Sequence, residues 1–574
     1  MKKLLLAFVA IAAVFAVLGC TGGTDERVMN WNIGADPATL DPGLNGASDG
    51  GDVINNTFEG LVREKNGEVL PGMAESWTVS TDGLTYTFNI RSDAKWSDGS
   101  DLTADDFVRS WLRGMDPRNA SEYSWIWEYT NVVGANEFAF ATTEVDSELD
   151  ALAALVGIKS LEDGAKFEVK LTAPTNWFVS LMAFYHFMPV PAGATIEGDG
   201  AWAKDPTTAL SNGPFHLTSY TVGDHLVLEK NEHYWNADEV GIETIKGYFI
   251  DLATTAYARY EADEMDVLND VPSAMIPGLS IASQEFYKFP LLGTYYANFN
   301  LSGDPEIGGT RDVGDRDNTI FYNLNLRKAL NLSINRQALV DAVGTGAIPA
   351  AGFIPKGFAD HNGEDFYENA KDDSEIVADD SAYALAVTYF ESAAEELYPT
   401  QALVSTEAAV EALRAELETK EYLYNTSEAH QQVGELIQEM WAENLGFTIQ
   451  LGNEEWATFQ DTRTDGNYDI SRGGWLTDFM DPSGMIGIFT QGNAYNDPDY
   501  FNQDFEDALA VAREATTAEA HFTALYEAHE IFMADLPIIP IYHYSDVLMV
   551  KAGITGWSRS VLGSIDFSTA KFAD

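Results

Sequence analysis

The chain has 574 residues, of which 90 are acidic and 33 are basic, and its formal net charge at pH 7 is −57. Such a negative surface excludes nucleic acid and anionic lipid as the main binding partner, because both carry the same sign of charge. Hydrophobic residues make up 45% of the chain and aromatic residues 12%, which is enough to bury large cores and is unlike a disordered composition. The length allows several domains of about 100 to 200 residues each.

The N-terminus has the pattern of a secretory signal peptide. Lys2 and Lys3 precede an apolar run at residues 4–18, which is shorter than the roughly 20 apolar residues that span a bilayer. No later run is long and apolar enough to span a membrane. Everything after the signal peptide is therefore expected to lie outside the cytoplasm.

Residues 17–20 (VLGC) resemble the bacterial lipobox. This resemblance implies that residues 1–19 are cleaved, that Cys20 carries diacylglycerol, and that residues 20–26 form a lipidated tether on the membrane. The alternative is an ordinary signal peptide with a chance cysteine. Because Cys20 is the only cysteine in the chain, no disulfide and no cysteine-based metal site are expected.

Strands and helices are both predicted along the rest of the chain. Alternating hydrophobicity predicts strands at residues 84–90 and 167–171 and a hairpin at residues 215–228. Helical periodicity predicts helices at residues 104–112 with Thr103 as N-cap, 321–343 with a break near 333–335, 406–417, and 430–445 ended by Gly446. Residues 468–479 (YDISRGGWLTDF) are interpreted as a strand that leads into a glycine-rich turn. Periodicity alone therefore predicts a large secreted α/β protein.

A series of short segments resembles one family. They are TLDP at residues 39–42, FEGL at 58–61, PGMAESW at 71–77, DAKWSDG at 93–99, LTADDFV at 102–108, NGPF at 212–215, NEHYWN at 231–236, LRKAL at 326–330, LYNTS at 423–427, EWATF at 455–459 and DTR at 461–463. In this order they resemble the family 5 solute-binding proteins, above all the oligopeptide-binding proteins of ABC importers. Two acidic stretches depart from the pattern, at residues 303–318 and 357–420, and neither is expected to touch the core of the fold.

The family resemblance implies an α/β fold of two lobes, of the type II periplasmic binding-protein kind with an extra subdomain, that encloses ligand between the lobes. The implied division is lobe one core at residues 27–58, 192–294 and 545–574, extra subdomain at 59–191, and lobe two at 295–544. It also implies a monomer without cofactor or metal that binds short peptides and passes them to the membrane permease subunits of an ABC importer.

The segment RGGWLTD carries the resemblance at the ligand site. A receptor for peptides of any sequence has to bind what all peptides share, which is the α-ammonium, the carboxylate and the backbone. In the family, the acid three places after the tryptophan binds the peptide ammonium, and here that residue is Asp478. Gly474, Trp475 and Leu476 match the stretch whose backbone pairs with ligand. Arg472 matches an arginine that helps to hold the ligand carboxylate.

The other expected site residues are Arg463, Tyr123, Tyr296, Trp456, Asn425 and His430. Arg463 matches a residue that lines a side-chain pocket, and Tyr123 matches a ligand-contacting tyrosine. Tyr296 and Trp456 match aromatic residues of the family's ligand pocket. Asn425 and His430 match pocket residues, and His430 is placed to meet the carboxylate of longer peptides. The alternative for each is structural: a salt bridge, core packing or a helix cap.

Two positions depart from some members of the family. A glutamate that follows the Leu-Asp-Pro motif is Gly46 here, and a lysine used for a ligand carboxylate is Val343. The charge selection at both ends of the site, and with it the preferred peptide length, is therefore left open. Dipeptides, nickel chelates and oligosaccharides remain alternative ligands.

Enzyme motifs are weak in this sequence. Residues 46–50 (GASDG) match the nucleophile-elbow pattern of hydrolases, but a turn-rich segment precedes them where that motif needs a buried strand. His529 and Glu530 lack the second histidine of a zinc protease helix, because that position is Met533. The sequence therefore favours a binding protein over a secreted peptidase.

The charge of the chain predicts a salt-dependent stability. Cleavage before Cys20 removes Lys2 and Lys3 and no acid, which leaves 31 basic and 90 acidic groups. If this excess is an adaptation to saline surroundings, the melting temperature of the processed protein should rise steadily with NaCl. The Debye length shrinks from about 30 Å at 0.01 M to about 3 Å at 1 M, so the repulsion between carboxylates falls. A flat or falling curve in calorimetry would contradict this explanation of the acidity.

Overall fold

The computed structural model describes residues 27–573 except 66–67, 196–197, 199, 310, 312–318 and 371–379. The expected signal peptide and tether at residues 1–26 lie outside the described residues. So does part of the acidic stretch at residues 303–318.

The strands are β1 Val28–Asn32, β2 Val62–Lys65, β3 Glu68–Pro71, β4 Ala74–Val79, β5 Thr85–Ile90, β6 Ile158–Leu161, β7 Lys166–Lys170, β8 Phe215–Thr221, β9 His225–Lys230, β10 Thr244–Tyr248, β11 Val267–Leu268, β12 Phe286–Phe299, β13 Ile348–Pro349, β14 Glu421–Asn425, β15 Gln450–Glu454, β16 Ile470–Leu476, β17 Ile538–Val550, β18 Ile554–Thr555, β19 Ser558–Arg559, β20 Ile565–Asp566 and β21 Lys571–Phe572.

The helices are α1 Ser48–Thr57, α2 Ala104–Met115, α3 Ala135–Ala139, α4 Asp146–Ala153, α5 Phe178–Leu181, α6 Ala253–Glu261, α7 Ile276–Ala282, α8 Leu324–Leu332, α9 Arg336–Val343, α10 Phe366–Ala370, α11 Tyr383–Leu397, α12 Pro399–Ala402, α13 Thr406–Leu417, α14 Glu428–Leu445, α15 Trp456–Thr464, α16 Ser483–Ile486, α17 Gln503–Glu514 and α18 Ala518–Asp535.

The predicted helices and the strands at residues 84–90, 167–171 and 215–228 are confirmed, with caps that explain the helix ends. The carboxylate of Asp106 accepts a hydrogen bond from the Thr103 N–H at 2.8 Å, which fixes the start of α2. The predicted break in residues 321–343 separates α8 from α9. Helix α14 ends at Gly446, whose φ of 80° lies in the left-handed region that glycine adopts without strain.

An 11-stranded sheet runs through the whole molecule in the order β15-β14-β16-β12-β17-β11-β1-β10-β9-β8, with β13 paired to β17. Its centre is the antiparallel pair β12–β17, the two longest strands. One half of this pair joins Phe286–Pro290 to Ser545–Met549, and the other joins Thr294–Asn298 to Ile538–His543. The register shifts between Pro290 and Thr294, so the pair bends where one half of the sheet continues into the other.

A separate sheet, β4-β5-β7-β6, lies within the expected extra subdomain. In β5 the side chains of Tyr86, Phe88 and Ile90 are buried and those between them are partly exposed, which is the alternation that the sequence predicted. Phe167 of β7 lies in the same cluster, and its ring centroid is 4.8 Å from that of Trp111 on α2. This small sheet is therefore held to α2 by aromatic packing.

The prediction that residues 357–420 avoid the core is wrong. On α11, Ala386, Phe390, Ala393 and Ala394 are buried in the main hydrophobic cluster, and the Phe390 ring stacks on Phe447 at 6.1 Å between centroids. These positions recur at i, i+4, i+7 and i+8, so they form one apolar stripe. The many acids of this stretch concealed the stripe in the sequence.

A buried ion pair joins the start of lobe one to α2. Arg113 donates two hydrogen bonds to Asp41, at 3.1 and 2.7 Å, and the side chains are 4% and 0% exposed. Trp202 Nε1 donates a third at 2.6 Å and the Gly43 N–H a fourth at 3.0 Å. The aspartate of the Leu-Asp-Pro motif is therefore a structural contact between segments distant in sequence.

Replacement of Asp41 by Asn should destabilise the protein strongly. It leaves the Arg113 guanidinium buried without a counter-charge, and removal of one partner from a buried pair costs about 3 to 5 kcal/mol. Asp263, which is 86% exposed and paired with Lys551, provides the matched control. Asp263→Asn should leave the urea unfolding midpoint unchanged, because exposed ion pairs contribute little. Equal midpoints for both variants would contradict the structural role of Asp41.

Candidate functional site

A cavity of about 470 Å³ lies between the two halves of the large sheet. One wall comes from the N-terminal end of α1, the loop that follows α1, and residues 269–270 after β11. The opposite wall comes from α15, β16 and the residues after β16. Segments of residues 183–188 and 544–566 complete the lining. The cavity is therefore built by both lobes and depends on how they sit together.

Strand β16 presents a free backbone edge to this cavity. It pairs with β12 along its whole length, but on its other side β14 pairs only with Ile470 and Ser471. The Thr477 N–H donates to the Leu292 carbonyl at 2.8 Å, and hydrogen-bonded pairs alternate along an antiparallel ladder. The N–H and C=O groups of Gly474 and Leu476 therefore point away from β12. Within the described chain no strand pairs with them on that edge.

The prediction of a glycine-rich turn after the strand is wrong, because Gly473 and Gly474 lie inside β16. Aromatic side chains pack directly against both positions. A Cβ on Gly473 would overlap the ring of Tyr296, and a Cβ on Gly474 would overlap the hydroxyl of Tyr544. The glycines are thus required for close approach of tyrosine side chains to the strand, and the chain does not turn there.

Asp478 follows the free edge and is 7% exposed. Its Oδ1 accepts a hydrogen bond from the Tyr123 hydroxyl at 3.3 Å, whereas its buried Oδ2 has no partner among the described residues. Burial raises the pKa of Asp478 well above its ordinary value, although the hydrogen bond from Tyr123 opposes this shift. A cation next to Oδ2 would stabilise the charged form in this low-dielectric surrounding.

Arg472 lies earlier on the same strand and also lines the cavity. Its guanidinium lies 5.6 Å from the ring centroid of Tyr295 and 5.9 Å from that of Trp456. No carboxylate of the described residues lies within ion-pair distance of it, and its buried Nε has no partner there. The strand thus places an uncompensated acid and an uncompensated guanidinium at opposite ends of one free edge.

The cavity brings together most of the expected site residues. Those that line it are Asp478, Trp475, Gly474, Leu476, Arg472, Arg463, Tyr123 and Trp456. Arg463 is held by the buried Asp497, with Nε 2.9 Å from Oδ2, so its charge is compensated by the protein itself.

Three expected site residues do not line the cavity. Tyr296 packs against Phe353 and Phe489, with ring centroids at 5.4 and 6.0 Å. Asn425 is buried at the end of β14, and its Oδ1 has no partner among the described residues. His430 lies in the first turn of α14, 5.6 Å from the Tyr295 ring. Burial, with a smaller effect of Arg472, lowers the pKa of His430 well below its ordinary value, so the imidazole is neutral.

Tyr495 is a site residue that the sequence did not reveal. Its hydroxyl donates to the Gly46 carbonyl at 3.2 Å and lies 3.5 Å from Glu122 Oε2, and its ring is 4.9 Å from that of Trp475. A Cβ on Gly46 would lie 2.5 Å from Glu122 Oε2. The Glu122 carboxylate therefore occupies the space that a side chain at position 46 would take. No spacing in the sequence connects these three residues.

The hydrolase motif at residues 46–50 lacks the required setting. Ser48 is the first residue of α1, and the segment between β1 and α1 contains no strand. A nucleophile elbow needs a strand directly before the serine. The geometry therefore gives this serine no nucleophile-elbow role.

A sequence model of bacterial extracellular solute-binding proteins, family 5, middle region, matches residues 68–497. This chain belongs to that family. The family membership and the two-lobed fold predicted from the sequence are confirmed. The family consists of solute-binding proteins rather than enzymes.

Relatives of this family 5 protein match it along almost the whole chain. The oligopeptide-binding protein OppA of Bacillus subtilis is 31% identical over 558 residues, which is 95% of this chain and 93% of the relative. The crystal structure of Haemophilus influenzae OppA in complex with the peptide RPPGFSPFR is 28% identical, covers 96% of this chain and 99% of its own, and gives a TM-score of 0.82.

The Escherichia coli murein tripeptide binding protein MppA indicates how the lobes are arranged here. One structure of MppA, 27% identical and covering 96% of this chain and 99% of its own, gives a TM-score of 0.79. Its unliganded open form, with coverages of 96% and 98%, gives only 0.59. The lobes of the present structure are therefore far from the open arrangement.

Proposed function

We propose that this protein binds short peptides in the interlobe cavity and delivers them to the permease subunits of an ABC importer, as a monomer outside the cytoplasm. The observation that carries the proposal is the unpartnered buried oxygen of Asp478 at the end of a free strand edge. Peptides have an ammonium at one end and strand-forming backbone groups beyond it. They are the ligand class that satisfies both features at once.

In this proposal the ligand extends β16 as an added strand. Its α-ammonium lies at Asp478 Oδ2, its backbone bonds to the outward groups of Gly474 and Leu476, and its carboxylate is directed towards Arg472. His430 does not line this cavity, so its expected contact with the carboxylate of longer peptides stays a prediction. Backbone pairing requires no particular ligand side chains, so such a site accepts many sequences.

The lobes contribute jointly, and closure would complete the site. Tyr123, which holds Asp478 Oδ1, comes from the opposite wall of the cavity. The β12 and β17 strands are the two chain segments that cross between the lobes in this proposal. Their pair can act as a hinge, because hinge movement is a common way for a binding protein to close around ligand. The closed shape would then be what the importer recognises.

Three other ligand classes stay open within the same fold. Dipeptides would leave much of the free edge unused, and nickel chelates or oligosaccharides would leave Asp478 Oδ2 without a cation of matching geometry. Native mass spectrometry of the protein purified from its source separates these classes by the mass of the retained ligand.

The N-terminal capture mechanism predicts a coupled loss. Asp478→Asn keeps the volume of the side chain and removes its charge, and loss of one partner of a buried pair costs about 3 to 5 kcal/mol. Affinity for a free tripeptide should therefore fall by about 100- to 1,000-fold, at about 1.4 kcal/mol per decade. N-acetylation of the peptide should weaken wild-type binding strongly and binding to the variant much less, since both changes delete one interaction.

Calorimetry on the four combinations gives the double-mutant cycle. Asp465→Asn is the matched control, because Asp465 is an exposed aspartate in the same half of the chain, and this variant should bind like wild type. Equal binding of acetylated and free peptides to the wild-type protein would rule out ammonium capture by Asp478.

We also propose a lipid anchor on Cys20. Cys20 lies outside the described residues, and the support is the VLGC segment after the apolar run. No helix within the described residues is long and apolar enough to cross a bilayer. A tether with two or more acyl chains would hold the protein stably at the membrane, where a single chain is marginal.

Cys20→Ser should abolish this anchor and leave the fold unchanged. Metabolic labelling with a radioactive fatty acid should mark the wild-type protein only, and the variant should appear in the soluble extracytoplasmic fraction. Labelling of both proteins, or of neither, would remove the lipoprotein assignment. Peptide binding by the released variant should match that of the wild type, because no described residue before Ile33 lines the cavity.

A further inference from the structure

The wall of the cavity carries more carboxylates than guanidinium groups, and the arginines on the lobe-one side are compensated by acids. Arg559 donates to Asp546 at 2.6 Å and to Asp52 at 3.3 Å. Arg63 donates to Glu59 at 3.0 Å and forms a second ion pair with Asp566. Each of these two arginines is therefore held by two acids of the protein and is not free to bind a ligand carboxylate.

Two acids of this wall that form no ion pair within the described residues are Asp49, whose Oδ2 is buried, and Asp270. It follows β11, lines the cavity and is exposed to it. Its Oδ1 accepts a hydrogen bond from the Val271 N–H at 2.8 Å. Within the described residues no lysine, arginine or histidine nitrogen lies within ion-pair distance of its carboxylate. Asp270 is therefore an acid that a ligand can reach and that the protein leaves without a counter-charge.

The charged neighbours of Asp270 are acids that repel its carboxylate, so a cation beside Asp270 would be stabilised. They are Asp546 on β17 and Glu428 at the start of α14, both acids that come from separate elements. Enclosure by the protein, with a smaller effect of these two acids, raises the pKa of Asp270 to about 6. At neutral pH the carboxylate is still charged, and a cation beside it would relieve both the desolvation and the repulsion.

A peptide with uncharged side chains cannot supply that cation. In the proposed binding mode its ammonium is taken by Asp478, and its carboxylate is directed to Arg472. Asp546 and Tyr544 of β17 both line the cavity, and Tyr544 contacts Arg472. In the proposed binding mode Asp270 would therefore lie on the Arg472 side of the bound backbone, within reach of a ligand side chain.

We infer that Asp270 is a specificity-determining residue that selects peptides carrying a lysine or arginine side chain. This inference rests on the proposed peptide-binding function and names its preferred substrate class. Asp478 is assigned to the ammonium, Asp49 has a buried Oδ2, and the remaining acids of the wall have partners within the protein, so Asp270 is the exposed acid of this wall without an ion pair. The preference should therefore depend on this one carboxylate.

The test compares lysine with norleucine, which keeps the butyl chain and lacks the ammonium. Three tripeptides carry lysine at the first, second or third position among alanines, and three carry norleucine at the same positions. At one position at least, wild-type protein should bind the lysine peptide about 10- to 100-fold more tightly in calorimetry at pH 7.5, the range expected for a charge-assisted hydrogen bond. Asp270→Asn should abolish this gain and leave the norleucine affinities unchanged.

Asp105→Asn serves as the matched control, because it removes the same charge from an exposed site on α2, away from the cavity. It should keep the full lysine gain, which separates a local effect from the overall negative charge. Unchanged norleucine binding by Asp270→Asn also shows that this variant folds and closes.

Two results would overturn the inference alone: equal affinity for lysine and norleucine peptides at all three positions, or a lysine gain that persists in Asp270→Asn. In either case the norleucine peptides still bind and still lose affinity on N-acetylation, so the proposed function stands. If none of the six peptides binds the wild-type protein, the proposed function fails and the inference fails with it.

Discussion

The antiparallel pairing of β12 with β17 is the constraint on which the site depends. These two long strands belong to both halves of the 11-stranded sheet, and their register shifts between Pro290 and Thr294. Because both strands run from one half of the sheet into the other, the bend of this two-stranded ribbon sets the relative position of the two cavity walls. The cavity, the Tyr123–Asp478 hydrogen bond and the free edge of β16 all follow from that position.

The site is electrostatically incomplete without a ligand. Asp41 and Arg113 show how this protein treats buried charge elsewhere, with a bidentate pair and further hydrogen bonds that complete it. Asp478 accepts a hydrogen bond from Tyr123 and Arg472 contacts Tyr544, but neither charged group has a counter-charge within ion-pair distance among the described residues. A buried group without a counter-charge costs free energy, and a ligand with complementary ends removes that cost. The same reasoning identifies Asp270 as the point where ligand side chains would be distinguished.

Much of the fold was accessible from short-range patterns. The alternation in residues 84–90 and the capping pair Thr103 and Asp106 involve residues close together in the chain. Both can therefore be recognised from the sequence alone. The apolar stripe on α11 was also present in the sequence, but the surrounding acids hid it. The glycines of β16 were misinterpreted as a turn. Their actual reason is contact with Tyr296 and Tyr544, which are far away in the chain.

The sequence by itself determined the class of element in most segments, the acidic charge, the family motifs and Asp478 as an expected ligand group. Only the tertiary structure decided which of those groups lie together and which are already paired. Arg463 and Arg472 both match site residues of the family, yet Asp497 forms an ion pair with the first and no described acid lies within ion-pair distance of the second. Tyr495, Glu122 and Asp270 gave no signal at all. Their surroundings bring together segments more than a hundred residues apart in the chain, and electrostatic compensation depends on distance in space, which local sequence spacing does not encode.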